Sequence, residues 1–179
     1  VDRRDVRRDF LDRDARAEAL AEAVLEVAHV GARRLAAVLV VLLVAARRGA
    51  DTVLVAGPVS LQTPPGVDRR DVRSAAQMHE AVLGALPADV YVGAAAVADF
   101  TPAAVAGGKI KKQEGGGGLV LELVRTADIL ADVASHPLRP RLVVGFAAET
   151  SDLEANARGK LRRKRVDMIA ANLVGGAEG

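Results

Sequence analysis

Four short runs rich in aliphatic and β-branched residues, Thr52–Ala56, Asp89–Gly93, Arg141–Gly145 and Asp167–Ala171, constrain this chain more than any other feature. They show little alternation between apolar and polar positions. Strands of that kind are buried on both faces, as in a parallel sheet covered by helices. The segments between them carry the helical period. Val72–Leu86 has Ser74 and Gln77 at capping-box spacing and stops at Pro87. Ser151–Arg165 has Ser151 and Glu154 at the same spacing and ends in basic residues, which complement the helix dipole. Strand–helix alternation predicts an α/β domain with a mostly parallel sheet between helical layers.

Composition agrees. Half of the 179 residues are hydrophobic, yet only three are Phe, one is Tyr and none is Trp, so the core is built from Ala, Val and Leu. A chain of this length fits one domain with a substantial core. With no cysteine, disulfides and thiolate metal sites are excluded. His29, His79 and His136 have no metal-ligand spacing. The 25 basic and 23 acidic residues nearly balance, which argues against a general polyanion binder and leaves room for local basic patches. The N-terminal stretch Val1–Asp14 is dense in Arg and Asp, unlike a secretory signal. The longest apolar run, Leu35–Ala46, falls short of the roughly 20 residues that cross a bilayer, so a cytoplasmic protein is expected.

Two segments do not follow the alternation. Lys109–Lys112, Gly115–Gly118 and Leu119–Val124 read as a flap: a basic strand, a glycine turn and a second strand. A floppy surface loop is the plainer reading. In the first 45 residues, Ala15–Ala28 is helical by pattern, whereas Ala36–Ala46 is so uniformly apolar that a buried helix and a buried strand are equally consistent with it.

In open α/β sheets ligands bind beyond the carboxyl ends of the strands. That rule selects Gly57–Ser60, Gly93–Phe100, Gly145–Thr150 and Asn172. Gly93, Ala94 and Ala95 would let a ligand approach the main chain. Asp99 could hold a ribose hydroxyl or a metal, or simply cap a turn. Phe146 could stack on a base or sit in the core. Lys109, Lys111 and Lys112 could reach phosphates as point charges, or form a solvated face. Lys160 and Lys164, four apart, share a helix face. There is no GxGxxG after a strand, no GxxxxGK[ST], no HExxH and no GxSxG, which argues against nicotinamide, P-loop, zinc-protease and serine-hydrolase chemistry. A nucleic-acid-binding domain would need aromatics interleaved with the lysines, and none are there.

Read in order, RRGA (Arg47–Ala50), GPVSLQTPPGV (Gly57–Val67), AAAVADF (Ala94–Phe100), GKIKKQ (Gly108–Gln113), DIL (Asp128–Leu130), VVGFAAET (Val143–Thr150), KLRRK (Lys160–Lys164) and DMIAAN (Asp167–Asn172) resemble the phosphopantothenate–cysteine ligase family. The resemblance implies a Rossmann-like fold and a two-step reaction. The carboxylate of 4′-phosphopantothenate attacks the α-phosphate of CTP, with Mg²⁺ present, and the amine of cysteine then displaces CMP. It also implies a homodimer, and a flavin-dependent decarboxylase either fused to the domain or carried on another chain. By resemblance, Lys109 belongs on the nucleotide phosphates and is the catalytic residue, brought in by the flap. Gly93, Ala94 and Ala95 belong on the cytosine or ribose, and Asp99 near the ribose or its metal. Ala127, Asp128, Ile129 and Leu130 form a second nucleotide-contacting turn. Phe146, Lys160 and Lys164 complete the nucleotide site, and no residue is assigned as a metal ligand. Lys164 is the awkward member, because its helix should run away from the strand ends; an angled helix or a dimer neighbour would bring it back.

The match covers residues 46–172, and residues 1–45 depart from it within what is read as a single ligase-like domain. The family's TAGGTREP-like turn and NRSSG-like loop have no counterpart, and Gly31 stands where the loop asparagine belongs. An altered upstream reading frame, a divergent member with impaired catalysis and a different phosphate site are three accounts of this departure. They keep open the alternative of a nucleotide-binding domain without ligase activity.

Overall fold

The computed structural model describes residues 34–59, 62–110 and 118–174. The helical pattern at Ala15–Ala28, Gly31, Lys111, Lys112 and most of the Gly115–Gly118 turn lie outside these residues. The chain runs α1 (Arg34–Arg47), β1 (Thr52–Ala56), β2 (Val67–Asp71), α2 (Ala75–Leu83), β3 (Val90–Gly93), β4 (Phe100–Pro102), β5 (Leu123–Arg125), α3 (Ile129–Ser135), β6 (Leu142–Glu149), α4 (Leu153–Lys164) and β7 (Met168–Leu173). The apolar run that could have been helix or strand is therefore the body of α1.

All four expected strands form, and three of them make one parallel sheet in the order β3–β6–β7. Its middle strand, β6, organises the molecule. Val143 and Val144 are both fully buried, and successive residues of a strand face opposite ways, so both faces of the sheet are covered. On the Val143 face, Val82 of α2, Ile129 and Val133 of α3 and the half-buried Leu161 of α4 form the larger core. On the Val144 face, Val41 of α1 packs with Leu142, Phe146 and Met168. This is the α/β layering expected from the strand–helix alternation. The strands divide into separate ladders, however. Among the described residues β1 pairs with β2 alone, in parallel, and Val55 packs against the larger core.

The differences from expectation have local causes. β2, with the sequence VDRRD, is mostly exposed and too charged to read as a strand; one-sided edge strands tolerate such charge. The antiparallel ribbon expected in the flap is built from other residues: Phe100–Pro102 pairs with Leu123–Arg125, and Lys109 and Ile110 carry no strand. β6 does not stop at Gly145 but continues to Glu149, because β7 pairs with it along that whole length.

Helix starts were half legible. Ser74 and Gln77 form the capping box: Gln77 N–H donates to Ser74 Oγ at 3.1 Å and Ser74 N–H to Gln77 Oε1 at 3.2 Å. The matching box at Ser151 is absent. Asp152 caps α4 in a left-handed conformation (φ 48°) with no side-chain bond, and Glu154 instead pairs with Arg158 one turn on. Arg139 grips both oxygens of Asp167 at 2.9 and 2.8 Å, and the same carboxylate accepts from Val143 N–H at 2.7 Å, which fixes the start of β7 against β6.

Gly145 makes the packing on the Val143 face possible. A Cβ there would stand 2.6 Å from Leu130 Cδ2 and 2.9 Å from Ile169 Cδ1, inside contact distance of both. Gly145→Ala is expected to destabilise the domain by about 1–3 kcal/mol, the usual cost of overpacking. Urea denaturation measures it, and a loss below about 0.5 kcal/mol would mean that Leu130 and Ile169 give way freely.

Candidate functional site

On the Val143 face a cavity of about 470 Å³ opens where the side chains of the sheet run out. Its floor follows from register. Gly93 at the end of β3 is the partner of Gly145 on β6, so two neighbouring positions on one face have no side chain. Tyr91, two residues before Gly93 and on the same face, fills part of that space: a Cβ at Gly93 would meet its ring and hydroxyl at 3.1 Å. Burial, together with the nearby Asp128 charge, pushes the Tyr91 phenol up to about 12, so it stays neutral.

One wall is the foot of the β4–β5 ribbon. Thr126 fastens it to the chain leaving β3, its hydroxyl donating to the Ala98 carbonyl at 2.6 Å and its N–H to the Asp99 carbonyl at 3.0 Å. This bolt brings Ala95 and Asp99 onto the same wall as Arg125 and Ala127. The Asp99 carboxylate has no partner among the described residues.

A second part of the lining comes from α3 and α4. Asp128 caps α3, accepting from Ala131 N–H at 3.2 Å, and also forms an ion pair with Lys164. Burial pushes the Asp128 carboxyl up, but the Lys164 bond, the Ala131 N–H and the charges of Lys164 and Lys160 outweigh it, and its pKa is lowered. Lys160 stands one turn before Lys164 and donates to the Phe146 carbonyl at 2.6 Å. That carbonyl lies where β6 has run past the end of β3, so the edge facing β3 has no strand partner there among the described residues. Burial and repulsion from Lys164 lower the Lys160 pKa against the pull of Glu149 and Asp128.

Of the twelve residues expected at the site, Gly93, Ala95, Asp99, Ala127, Asp128, Ile129, Leu130, Phe146, Lys160 and Lys164 line this one cavity. Ala94 and Lys109 do not. Lys109 is exposed, on the long connection between β4 and β5. Lys164 needs neither a neighbouring chain nor an unusual helix, because α3 begins over the middle of the sheet and brings Asp128 within its reach. Within Ala127–Leu130, Asp128 is the N-cap of α3 and Ile129 and Leu130 are its first residues, and Ile129 is buried. The Phe146 ring packs in the cluster around Val41 and Val144, and its carbonyl accepts from Lys160. Sequence reasoning missed Tyr91, Arg125 and Thr126. For Tyr91 a signal existed: it is spaced by two from Gly93 and must share its face.

Among the described residues no group of three or more His, Cys, Asp or Glu is arranged to hold a metal ion, and no helix is long and apolar enough to cross a membrane.

Comparison with known proteins agrees with this architecture. Residues 39–179 match the model of the DNA/pantothenate metabolism flavoprotein C-terminal domain. The coenzyme A biosynthesis bifunctional protein CoaBC of Vibrio cholerae is 50% identical over 129 residues, covering 72% of this chain and 32% of that protein. The Bacillus subtilis protein of the same name is 48% identical over 130 residues, covering 72% and 31%. The chain thus spans about a third of the length of the curated relatives it matches. The crystal structure of the C-terminal domain of a CoaBC superposes with a TM-score of 0.62 at 39% identity, over 73% of this chain and 60% of that one. On the sequence match and the shared fold together, this chain belongs to the family of the DNA/pantothenate metabolism flavoprotein C-terminal domain.

Proposed function

We propose that this chain is the ligase domain that forms 4′-phosphopantothenoylcysteine from 4′-phosphopantothenate and cysteine at the expense of CTP, in the cytoplasm. The observation that carries the reading is the cavity itself. Gly93 and Ala95 line it where β3 ends, and Lys160 and Lys164 line it from one helix face. Small residues at a strand end let a flat base or a ribose approach the main chain, while partly desolvated cations suit a polyphosphate. Close relatives named for coenzyme A biosynthesis point to the same chemistry.

The chemistry asks little of the protein beyond holding anions together. A carboxylate oxygen of phosphopantothenate attacks the α-phosphorus of CTP, the bond to the β-phosphate oxygen breaks, and pyrophosphate leaves. The cysteine amine then attacks the acyl carbon, sheds a proton and expels CMP. In the first step the residues must orient two like-charged reactants and neutralise charge building on the leaving pyrophosphate. Lys160 and Lys164 are placed to do so from the cavity wall, and Lys109 would join them by movement of the β4–β5 connection. Mg²⁺ usually rides on the nucleotide phosphates and takes one or two protein carboxylates. Asp99, the carboxylate of the cavity without a partner among the described residues, fits that need or that of a ribose hydroxyl. A homodimer, and a decarboxylase in the same or another chain, go with the reading, as the name bifunctional of the relatives suggests.

The test is to incubate the protein with labelled CTP and phosphopantothenate, with and without cysteine, and to follow pyrophosphate, CMP and amide. All three products with cysteine present are expected. CTP binding without turnover would favour a nucleotide-binding domain that has lost ligase activity, and absence of CTP binding would remove both readings. Lys109→Ala is expected to slow pyrophosphate release at least tenfold while moving stability by less than about 0.5 kcal/mol, since Lys109 is exposed.

The ion pair that holds Lys164 has its own signature. Asp128→Asn keeps the α3 cap and removes the charge, so at neutral pH it costs no more than about 1 kcal/mol, as for a partly exposed pair. Because the folded carboxyl titrates below its unfolded value, that stabilisation is complete above about pH 3.9 and is lost as the pH falls through the folded value. The stability difference between Asp128→Asn and the unmodified protein should therefore shrink on acidification; a constant difference would show that the pair contributes nothing.

A further inference from the structure

Three cations line the cavity, and they are not equivalent. Lys160 already donates to the Phe146 carbonyl, and Lys164 is paired with Asp128. Arg125 makes no side-chain hydrogen bond or ion pair among the described residues. It ends β5 as the register partner of Phe100, which places it beside Asp99, yet the two charges form no pair.

Its backbone, in contrast, is held firmly. The ribbon fixes Arg125 on one side, and on the other Thr126 is bonded through both its hydroxyl and its N–H to the carbonyls of Ala98 and Asp99. The backbone of Arg125 is thus fixed where it lines the cavity, and the residue is exposed to solvent. A planar fork of donors in that state takes a phosphate through two parallel bonds, and does so without first giving up a partner. Either lysine has one of its three N–H donors already committed. With Asp99 and Asp128 as the acidic members, Lys160, Lys164 and Arg125 leave the cavity one positive charge in excess, and Arg125 supplies the part that is not already spoken for.

We propose that Arg125 is the phosphate-contacting residue that first engages the nucleoside triphosphate, gripping the phosphate chain from the ribbon side of the cavity that Lys160 and Lys164 also line. This rests on the nucleotide reading of the cavity, and it adds a residue at a position outside the family phrases set out above.

The experiment is calorimetric titration of the full chain with CTP and with inorganic pyrophosphate, comparing Arg125→Gln and Arg125→Lys with the unmodified protein. Arg125→Gln is expected to weaken both ligands by about tenfold or more, as loss of a charge-assisted contact does, with the thermal midpoint unchanged. Should the midpoint fall, Arg125→Lys decides: recovered affinity supports the contact, and equal loss in both variants overturns it. Pyrophosphate affinity within twofold of normal in Arg125→Gln overturns it as well, whatever happens to CTP. If the unmodified protein binds neither ligand, the nucleotide reading itself falls; if it binds both and Arg125→Gln matches it, only the role of Arg125 does.

Discussion

The pairing of Gly93 with Gly145 is the constraint from which the rest of the site follows. Because the two are register partners in a parallel sheet, their missing side chains lie next to each other on one face. Leu130 and Ile169 close over Gly145 from one side, and Tyr91 leans under Gly93 from the other. What remains between them is the cavity. Any larger residue at Gly145 would drive Leu130 out of place, and Leu130 follows directly on the residues that cap α3 and hold Lys164. A gap in the sheet thus sets the position of a helix, and the helix sets the position of a charge.

Polar contacts then divide the labour. On the α3–α4 side, Asp128 serves two neighbours with one carboxylate, the start of its own helix and the end of the next. On the ribbon side, a single threonine joins chain segments 28 residues apart. Each wall is locked by a few bonds, whereas the connection between β4 and β5 carries its apolar residues in the open, Val105 and Val120 both being 92% exposed.

The strands were legible because β-branched runs with no alternation have few other uses, and Ser74 with Gln77 marked a helix start correctly. Other features were hidden for definite reasons. The apolar stretch that became α1 had no period to read, since every face of it is apolar. β2 was hidden by its charges, which an edge strand can carry. Ser151 and Glu154 had the right spacing for a capping box, but Glu154 was taken by Arg158 and the cap passed to Asp152. Most of the site was visible as family wording, but its geometry was not. Lys164 looked stranded at the far end of a helix until α3 brought Asp128 to meet it, and Phe146, equally open to stacking or to a core place, has its side chain in the other layer. Arg125 carried no local signal at all, since only the ribbon register places it at the rim.

The extension of β6 beyond β3 has a consequence for ligand choice. The bare edge it creates is satisfied by Lys160, so that lysine completes a main-chain network as well as carrying charge. Each lysine is oriented by one such bond, Lys160 by the carbonyl and Lys164 by Asp128, while two of its three N–H donors stay available. A guest can therefore add to contacts that are already made instead of displacing them, and what the sheet edge supplies is aim: two cations one helical turn apart, each held by a bond to the fold.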